Sequence, residues 1–401
     1  MRDYSKHFLL DVESSKIYAK EVLHYFEESE DLKAIEIGDG NINYVFKVWN
    51  PVTEKSVIIK QADTVLRSSG RPLDMHRNKI EAEILGIEGK LAPSYVPQIY
   101  HYDKAMYALS MEDISTYKNL RKELMEGKFC THFGENISEF LVDTLLPTTD
   151  LVMDRKKKKE KVQLFTNPEL CDISEDLVFT EPYYNYKNRN IILDDNLEFV
   201  KEKLYLDKEL HAEVGKLRDD FMNHAQALIH GDLHSGSIFI NEKGIKVIDP
   251  EFAFYGPMGY DIGNVIGNLF FVWANRFFVT PDDAVFITWI ENTIAEIYDK
   301  VKLKLKNKYD QIVSFPLYNN DAFKKDYIDK VMADSLGYAG TEIIRRVVGD
   351  SKVMEVTTVE ALEKRIPMER KLIEIGIQLI KGRKKLFSGI EIVAIGKGNL
   401  K

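Results

Sequence analysis

The sequence predicts an α+β protein with two lobes: an N-terminal lobe built on an antiparallel sheet (residues 1–114) and a larger, mainly helical lobe (residues 115–401). Short apolar runs separated by turn residues occupy much of the first 114 positions, as expected for strands joined by hairpins. After them, apolar residues recur at helical spacing. A chain of 401 residues is also long for one hydrophobic core and fits two.

Composition narrows the class of protein. An apolar fraction of 44% is typical of a globular protein, and a net charge of −9 argues against nucleic-acid binding. The basic block at residues 155–161 is expected to be a solvated face. Only Cys130 and Cys171 occur, which favours a reducing compartment, and no apolar run is long enough for a signal peptide or a membrane span. We therefore expect a cytoplasmic enzyme that binds neither nucleic acid nor membrane.

The chain begins with one or two predicted helices at residues 7–30, followed by strands at 32–37 and 44–49. The connection between the strands, residues 38–43, reads Gly-Asp-Gly-Asn-Ile-Asn. Glycines at such a turn let the backbone approach a ligand and offer N–H groups to phosphate. Taken alone, the pattern is explained better by a tight turn.

The next strand, residues 57–60, ends in Lys60 one hairpin after the glycine turn. A lysine at this place can reach a phosphate held by the turn, whereas the alternative is a lysine that keeps an edge strand from aggregating. A helix predicted at residues 76–86 carries Glu81 and Glu83. Either glutamate could pair with Lys60 or face solvent.

Two further strands are predicted at residues 98–101 and 105–111, and the connection to the second lobe then falls at residues 112–114. Helices are expected at residues 117–150 and 198–226. Between them, residues 164–186 contain two prolines and clustered aromatic residues, a composition that interrupts the helical pattern.

Residues 227–263 contain the densest set of chemical groups in the chain. An apolar run leads into a polar turn with His230 and Asp232. A predicted hairpin of two short strands follows, and then the motif Asp-Pro-Glu at residues 249–251. Each carboxylate therefore leaves the end of an apolar strand and enters a loop, where it can reach a ligand while the sheet holds it in place.

One hairpin separates Asp232 from Asp249 and Glu251, so we expect its closure to bring them to one edge of the sheet. Carboxylates grouped in this way repel each other unless a cation lies between them, and Mg²⁺ is bound by one or two carboxylates plus phosphate oxygens. The predicted roles are metal ligands at Asp249 and Glu251 and a catalytic base at Asp232. A single Asp at a strand end is usually a turn former, so the prediction depends on the combined pattern.

The segments HGDLHSGSIF and KVIDPEFAFYGPMGYDIG resemble the motifs of the aminoglycoside-phosphotransferase and choline-kinase branch of the protein-kinase-like fold. Asp-Pro-Glu stands where protein kinases carry Asp-Phe-Gly. Ser237 stands where they place a metal-binding Asn, and we leave it out of the metal site. The resemblance covers nearly the whole chain and is strongest to the kinases of this branch that act on 5-methylthioribose.

This resemblance implies that the cofactors are ATP and Mg²⁺. The glycine turn and Lys60 would contact the phosphates, and the main chain of residues 112–114 would contact the adenine. Lys60 would pair with a glutamate, for which the register favours Glu81. The residues implied in nucleotide binding are Gly40, Asn43, Lys60, Glu112, Asp113, Ile114, Asp249, Pro250 and Glu251.

The resemblance also implies the acceptor, the 1-hydroxyl of 5-methylthioribose, in methionine salvage, with Asp232 as the catalytic base. Arg345 or Arg346 would contact the sugar or the transferred phosphoryl group. Adjacent arginines on a helix face different directions, so we expect at most one of them to point at a given site. The resemblance further suggests a homodimer.

Two alternatives remain. A related kinase could act on choline, homoserine or an aminoglycoside. A catalytically inactive binding protein is the alternative of another class, and the presence of Lys60, Asp232 and Asp249 disfavours it.

Asp261 is predicted to cap an apolar helix at residues 262–273. The resemblance implies that it also accepts backbone N–H groups of the catalytic loop, which is the polar turn with His230 and Asp232. His230 is expected to hold that loop. The rest of the chain, residues 281–401, is predicted to be mostly helical, with small residues near 337–340 that permit close helix packing.

Overall fold

The protein is described by a computed structural model that covers residues 3–37, 43–64 and 75–398. Its contacts divide the chain into two units. The smaller unit comprises the chain up to Lys118 together with Lys246–Phe252, and the larger unit comprises the rest. The segment that carries Asp-Pro-Glu thus belongs with the smaller unit, whereas the predicted boundary after residue 114 assigned it to the larger lobe.

The smaller unit is built on one five-stranded antiparallel sheet. Every predicted strand of this lobe is present, and one helix forms in the region 7–30. The elements are α1 (Val12–Glu21), β1 (Lys33–Glu36), β2 (Tyr44–Trp49), β3 (Ser56–Gln61), α2 (His76–Leu91), β4 (Ile99–Asp103) and β5 (Ala108–Met111). The strand order in the sheet is β1-β2-β3-β5-β4.

The alternation along β3 places Lys60. Val57 and Ile59 are buried in the core that the sheet shares with α1. Because successive side chains of a strand point to opposite faces, Ile58 and Lys60 lie on the other face. That face is covered by α2, which packs on β4 and β5. The strand period therefore directs the lysine away from the α1 core and towards α2.

The larger unit is mainly helical. Its helices are α3 (Leu120–Met125), α4 (Phe133–Leu145), α5 (Arg155–Leu164), α6 (Pro168–Phe179), α7 (Glu181–Tyr184), α8 (Leu197–Val200), α9 (Lys208–Asn223), α10 (Gly259–Val279), α11 (Ala284–Ile312), α12 (Asp321–Val348), α13 (Met354–Thr357), α14 (Leu362–Gly382) and α15 (Gly389–Gly396). The later strands of the chain are β6 (Lys118–Asn119), β7 (Ala227–Ile229), β8 (Ile238–Asn241), β9 (Gly244–Val247) and β10 (Phe254–Gly256). The antiparallel pair β7–β10 lies within the larger unit, and the chain passes into the smaller unit within β9.

The prediction that residues 164–186 interrupt the helical pattern is wrong, because α6 and α7 occupy most of this segment. Pro168 and Pro182 both lie in the first turn of a helix. Proline is tolerated there because the first N–H groups of a helix have no partner within it. The two prolines therefore begin helices here.

The basic block is only partly a solvated face. It forms α5, and Lys158 within it is buried. The Nζ atom of Lys158 donates to the carbonyls of Ala225 and Gln226 at 2.7 and 2.8 Å and forms an ion pair with Asp150. One lysine of the block thus holds the segment that leads into β7.

Helices α10, α12 and α14 form the centre of the larger unit. Among the described residues, α10 is the one helix long and apolar enough to cross a membrane, yet 78% of its apolar window is buried inside the protein. A Cβ atom at Gly263 of α10 would lie 2.4 Å from the carbonyl oxygen of Ser335 on α12. A Cβ at Gly340 would lie equally close to the carbonyl oxygen of Gly376 on α14. The predicted role of small residues near 337–340 in close packing is thereby confirmed.

We expect Gly340→Ala to lower the free energy of unfolding by about 2 kcal/mol, because the added methyl group must push α12 and α14 apart. Urea unfolding followed by circular dichroism measures the change. Gly215→Ala is the matched control, since nothing lies within 4 Å of the Cβ position on the exposed face of α9. It should raise stability by about 0.5–1 kcal/mol. An unchanged stability of the Gly340 variant would contradict the proposed tight packing.

Candidate active site

In the smaller unit, Lys60 binds two carboxylates. Its Nζ atom lies 2.7 Å from Glu81 Oε1 and 2.5 Å from Asp249 Oδ1. Lys60 and Glu81 are both buried, whereas the side chain of Asp249 is 44% exposed. The structure thus pairs Lys60 with Glu81 on α2, the glutamate that the register favoured over Glu83.

The charges of this group stabilise each other. Burial by itself lowers the pKa of the Lys60 ammonium, but Asp249, Glu81 and Glu251 outweigh it and hold that pKa above its ordinary value. Burial raises the pKa of Glu81, and the neighbouring lysine opposes the rise. Lys60 is therefore a permanent cation with one buried partner and one exposed partner, and its contact with the exposed one can be exchanged for a ligand.

Glu251 is held by an arginine that the sequence analysis did not consider. Its side chain is 10% exposed, and Oε2 lies 3.5 Å from Nε of Arg77 at the start of α2. Another nitrogen of Arg77 donates to Asn43 Oδ1 at 3.1 Å. Asn43, which is also buried, is thereby tied to the Asp-Pro-Glu segment, while Gly40 lies outside the described residues. In the sequence, the signal for these contacts is an arginine at the start of the predicted helix.

The Asp-Pro-Glu segment fits a magnesium ion by its donor set. Asp249 adopts a left-handed backbone conformation with φ 64°, which Asp tolerates better than most residues do. It stands two positions before Glu251, so one short segment supplies two hard oxygen donors. In the described part of the chain, no group of three or more His, Cys, Asp or Glu residues could hold a metal by itself. Two carboxylates suit Mg²⁺, whose remaining ligands are commonly phosphate oxygens and waters.

The side chains of the predicted adenine-binding segment have structural partners. Asp113 accepts from Lys47 at 2.8 Å and from Ser56 at 2.7 Å, and such hydrogen bonds lower its pKa although burial raises it. Glu112 accepts from Lys246 at 3.1 Å, and its own N–H donates to a main-chain carbonyl. Nucleotide contacts by Glu112, Asp113 and Ile114 through the main chain stay a prediction.

In the larger unit, Asp261 fixes the loop that follows β7. Its two carboxylate oxygens accept the backbone N–H groups of His230 at 2.7 Å and of Gly231 at 3.0 Å. Gly231 needs the freedom of glycine because its φ is 82°. Met258 is the N-cap of α10, so the capping prediction for Asp261 is wrong. Its carboxylate is already used by the loop, which is the bracing role that the resemblance implied.

Asp232 lies in this loop, and one oxygen of its carboxylate contacts two cationic side chains. Oδ1 accepts from Arg345 at 3.2 Å and from Arg346 at 3.4 Å, and Oδ2 lies 3.6 Å from His234 Nε2. Burial raises the pKa of Asp232, but His234, Arg346 and Arg345 outweigh it and hold the pKa well below its usual range. Asp232 is therefore a carboxylate at neutral pH and is able to accept a proton from a hydroxyl group.

The prediction that at most one of the two arginines points at a given site is wrong. Both contact Asp232, and both donate to Glu342, which lies three and four residues before them on α12. Positions three and four residues apart are neighbours on a helix surface, so Arg345 and Arg346 lie on either side of Glu342 and extend along one face. The spacing Glu-x-x-Arg-Arg was the signal in the sequence.

His234 is a further residue of this loop, and the sequence predicted no role for it. Its Nδ1 accepts the backbone N–H groups of Gly236 at 3.0 Å and Ser237 at 3.1 Å. These hydrogen bonds assign the proton of the neutral ring to Nε2, on the side of Asp232. Burial lowers the pKa of His234 to about 4, against the opposing effect of Asp232. The ring is therefore neutral at physiological pH.

We expect His234 to make stability depend on pH between about 6.5 and 4. Its pKa is lower in the folded protein than in the unfolded chain, so the unfolded chain binds more protons in this window. The free energy of unfolding should therefore fall by about 2–3 kcal/mol as the pH decreases through the window. Urea unfolding as a function of pH measures this change.

His234→Asn keeps an oxygen that can accept the same two N–H groups, and it should remove this part of the pH dependence. The exposed His132 of the same unit provides the control, because His132→Asn should keep the wild-type slope. Equal slopes in wild type and His234→Asn would show that His234 is not the titrating group.

Comparison with known proteins agrees with the catalytic groups found around Lys60 and Asp232. The model of the phosphotransferase enzyme family (APH) matches residues 33–302. The methylthioribose kinase of Bacillus pumilus is 35% identical over 97% of both chains, and that of a Geobacillus species is 37% identical over 92% of this chain and 91% of its own.

A crystal structure of choline kinase from Cryptosporidium parvum superposes with a TM-score of 0.50 at 13% identity, covering 93% of this chain and 99% of the other. This likeness shows the protein-kinase-like fold that the sequence predicts. Family model and full-length relatives together show that the chain belongs to the phosphotransferase enzyme family and, within it, to the methylthioribose kinases.

Proposed function

We propose that this protein is an ATP-dependent kinase that transfers a phosphoryl group to the 1-hydroxyl of 5-methylthioribose and yields 5-methylthioribose 1-phosphate in methionine salvage. The observation that carries the proposal is the similarity to methylthioribose kinases over almost the whole chain. The arrangement around Lys60 and around Asp232 provides the groups that such a reaction needs.

The smaller unit supplies the nucleotide-binding groups. Lys60, held by the buried Glu81, would contact the phosphates together with Asn43 and the turn that contains Gly40. Asp249 and Glu251 would hold Mg²⁺, which when bound neutralises phosphate oxygens. The ammonium group of Lys60 contacts Asp249 in this structure, and it would contact the phosphates when ATP is bound. The predicted contacts of Glu112 to Ile114 and of Pro250 with the nucleotide belong to the same proposal.

The larger unit supplies the groups that act on the acceptor. As the sugar hydroxyl attacks the γ-phosphorus, its proton passes to Asp232, the bond from phosphorus to the β-γ bridging oxygen breaks, and ADP leaves. We assign the proton to Oδ2, because Oδ1 is already shared by two guanidinium groups. Most of the acceleration in such a site comes from positioning and charge stabilisation, to which Arg345 and Arg346 contribute.

Mg²⁺ as the metal, a cytoplasmic location and a homodimeric state complete the proposal. The donor set of Asp249 and Glu251 supports the metal. The two thiols, at Cys130 and Cys171, are free, in accord with a reducing compartment. The homodimer rests on the family resemblance.

The electrostatics of the acceptor site bear on the alternatives. Two guanidinium groups lie beside Asp232 and balance its charge, so the carboxylate offers little attraction to a cationic acceptor such as choline or an aminoglycoside. A neutral polyol can accept hydrogen bonds from the same groups. Lys60 is paired with Glu81, and Asp232 is paired with Arg345 and Arg346. The presence of these charged groups argues against a binding protein that has lost catalysis.

We expect ATP turnover with 5-methylthioribose, and little or none with choline, homoserine or an aminoglycoside, in an assay that couples ADP release to NADH oxidation. Asp232→Asn should lower kcat by about 10²–10⁴-fold, because the amide can no longer take up the proton.

Asp282→Asn makes the same chemical change at an exposed residue of the larger unit and should leave the rate unchanged. Turnover of choline or an aminoglycoside without turnover of the sugar would overturn the proposed substrate. A fully active Asp232 variant would overturn the assigned base.

We expect turnover to require a divalent cation and to stop when EDTA is added. Asp249→Asn should raise the Mg²⁺ concentration at half-maximal rate by at least about 10-fold, because one charged oxygen donor is lost. A magnesium titration of the wild type, of Asp249→Asn and of the Asp282→Asn control measures this effect. Undiminished activity in EDTA would contradict the metal site.

A further inference from the structure

Glu342 is a buried carboxylate on α12 that connects two arginines to the catalytic loop. We propose that Glu342 is a positioning residue for the transfer reaction: it holds the guanidinium groups of Arg345 and Arg346 on Asp232 without itself contacting the substrate. The inference deepens the proposed function, because it names the group on which the acceptor site depends for its geometry.

Each guanidinium bridges two carboxylates. The Nε atoms donate to Glu342, that of Arg345 to Oε2 and that of Arg346 to Oε1 at 3.0 Å. The terminal nitrogens reach Asp232 Oδ1 at 3.2 and 3.4 Å. A guanidinium is planar and rigid, so fixing its Nε–H bond also fixes the direction of its terminal nitrogens. The orientation of both groups towards Asp232 is therefore set from the side of Glu342.

The charges of Glu342, the two arginines and Asp232 favour this arrangement, as the hydrogen bonds do. Glu342 is 1% exposed, and burial raises its pKa, but Arg345 and Arg346 outweigh burial and keep the carboxyl group ionised. Two guanidinium groups and two carboxylates then form a neutral group. Without the charge of Glu342, Asp232 alone would balance both cations, and its oxygens would be held more tightly and be less basic.

A third contact joins Glu342 to the catalytic loop itself. Asn268 of α10 donates to Glu342 Oε1 at 3.3 Å, and its own Oδ1 accepts the backbone N–H of Ser235 at 3.3 Å. Ser235 lies three residues after Asp232 in the same loop. Glu342 thus shares one network with the arginines and with the loop that they contact, and a shift of its carboxylate moves both.

The same unit contains a matched carboxylate, Glu369, whose contacts among the described residues lie outside this network. Glu369 on α14 is also buried, accepts from Arg365 Nε at 2.9 Å and accepts from Asn196 Nδ2 at 2.9 Å. Glu342 and Glu369 thus each combine a buried carboxylate, an arginine one turn away on the same helix and an asparagine. They differ in that the arginines of Glu342 reach Asp232.

The test compares Glu342→Gln, Glu342→Asp and Glu369→Gln. Glutamine removes the charge and nearly keeps the shape, whereas aspartate keeps the charge and withdraws it by one methylene group. We expect both Glu342 variants to lose about 30–100-fold in kcat/KM for 5-methylthioribose, with a higher KM for the sugar and a KM for ATP within about 2-fold of wild type. Glu369→Gln should stay within about 3-fold of wild type.

Thermal unfolding separates a positioning role from a purely structural one. If Glu342 only stabilised the fold, both glutamine variants would lower the melting temperature, and the sugar kinetics of the folded protein would be unchanged. That result would overturn the inference, as would wild-type sugar kinetics in Glu342→Asp. If Glu342→Gln does not fold, the aspartate variant decides, because it keeps the buried charge.

Crystal structures of the wild type and of Glu342→Asp provide a readout that does not depend on turnover. The terminal nitrogens of Arg345 and Arg346 should move beyond hydrogen-bond distance of Asp232 Oδ1 in the variant, and their retention there would overturn the inference. If the wild type does not phosphorylate 5-methylthioribose, the proposed function fails, while the positions of the arginines still decide the positioning role.

Discussion

The acceptor site depends on the close approach of α10 and α12. At Gly263 the backbones of these helices are nearly in contact, because a Cβ atom there would lie 2.4 Å from a carbonyl oxygen of α12. Helix α10 carries Asp261 and Asn268, which hold the catalytic loop, and α12 carries the arginines that contact Asp232. Side chains of ordinary length can connect these groups only because the two helices come so close.

In both units a buried carboxylate holds the cationic side chains of the candidate site in place. Glu81 holds Lys60 in the smaller unit, and Glu342 holds Arg345 and Arg346 in the larger one. Buried ion pairs contribute little net stability, because desolvating the charges costs about as much as their attraction returns. Here the ion pairs fix the orientation of the cationic side chains. Little reorganisation of these side chains is therefore needed when charge develops in the transition state.

The protonation states follow from the same arrangement. Asp232 stays ionised because three neighbours that are cations or hydrogen-bond donors outweigh its burial, and His234 stays neutral because burial lowers its pKa. At neutral pH the site therefore holds a negatively charged carboxylate beside an uncharged ring. This is a consistent environment for removing a proton from a hydroxyl group.

Sequence alone determined the features that depend on neighbours along the chain. The five strands of the smaller unit follow from short apolar runs separated by turn residues, and the short apolar strands around His-Gly-Asp and Asp-Pro-Glu identify the loops with chemistry. Residues 164–186 were misjudged because proline has opposite effects at the start and in the middle of a helix, and the pattern does not say where the helix starts.

Only the tertiary structure decided which distant groups meet. Arg345 and Asp232 are 113 residues apart, and their contact depends on how α12 packs against α10. The grouping of residues 246–252 with the smaller unit is likewise a property of the tertiary contacts. Helix and strand periods report which face of an element is buried, but they contain no information about the partner that covers it, and that partner determines the site.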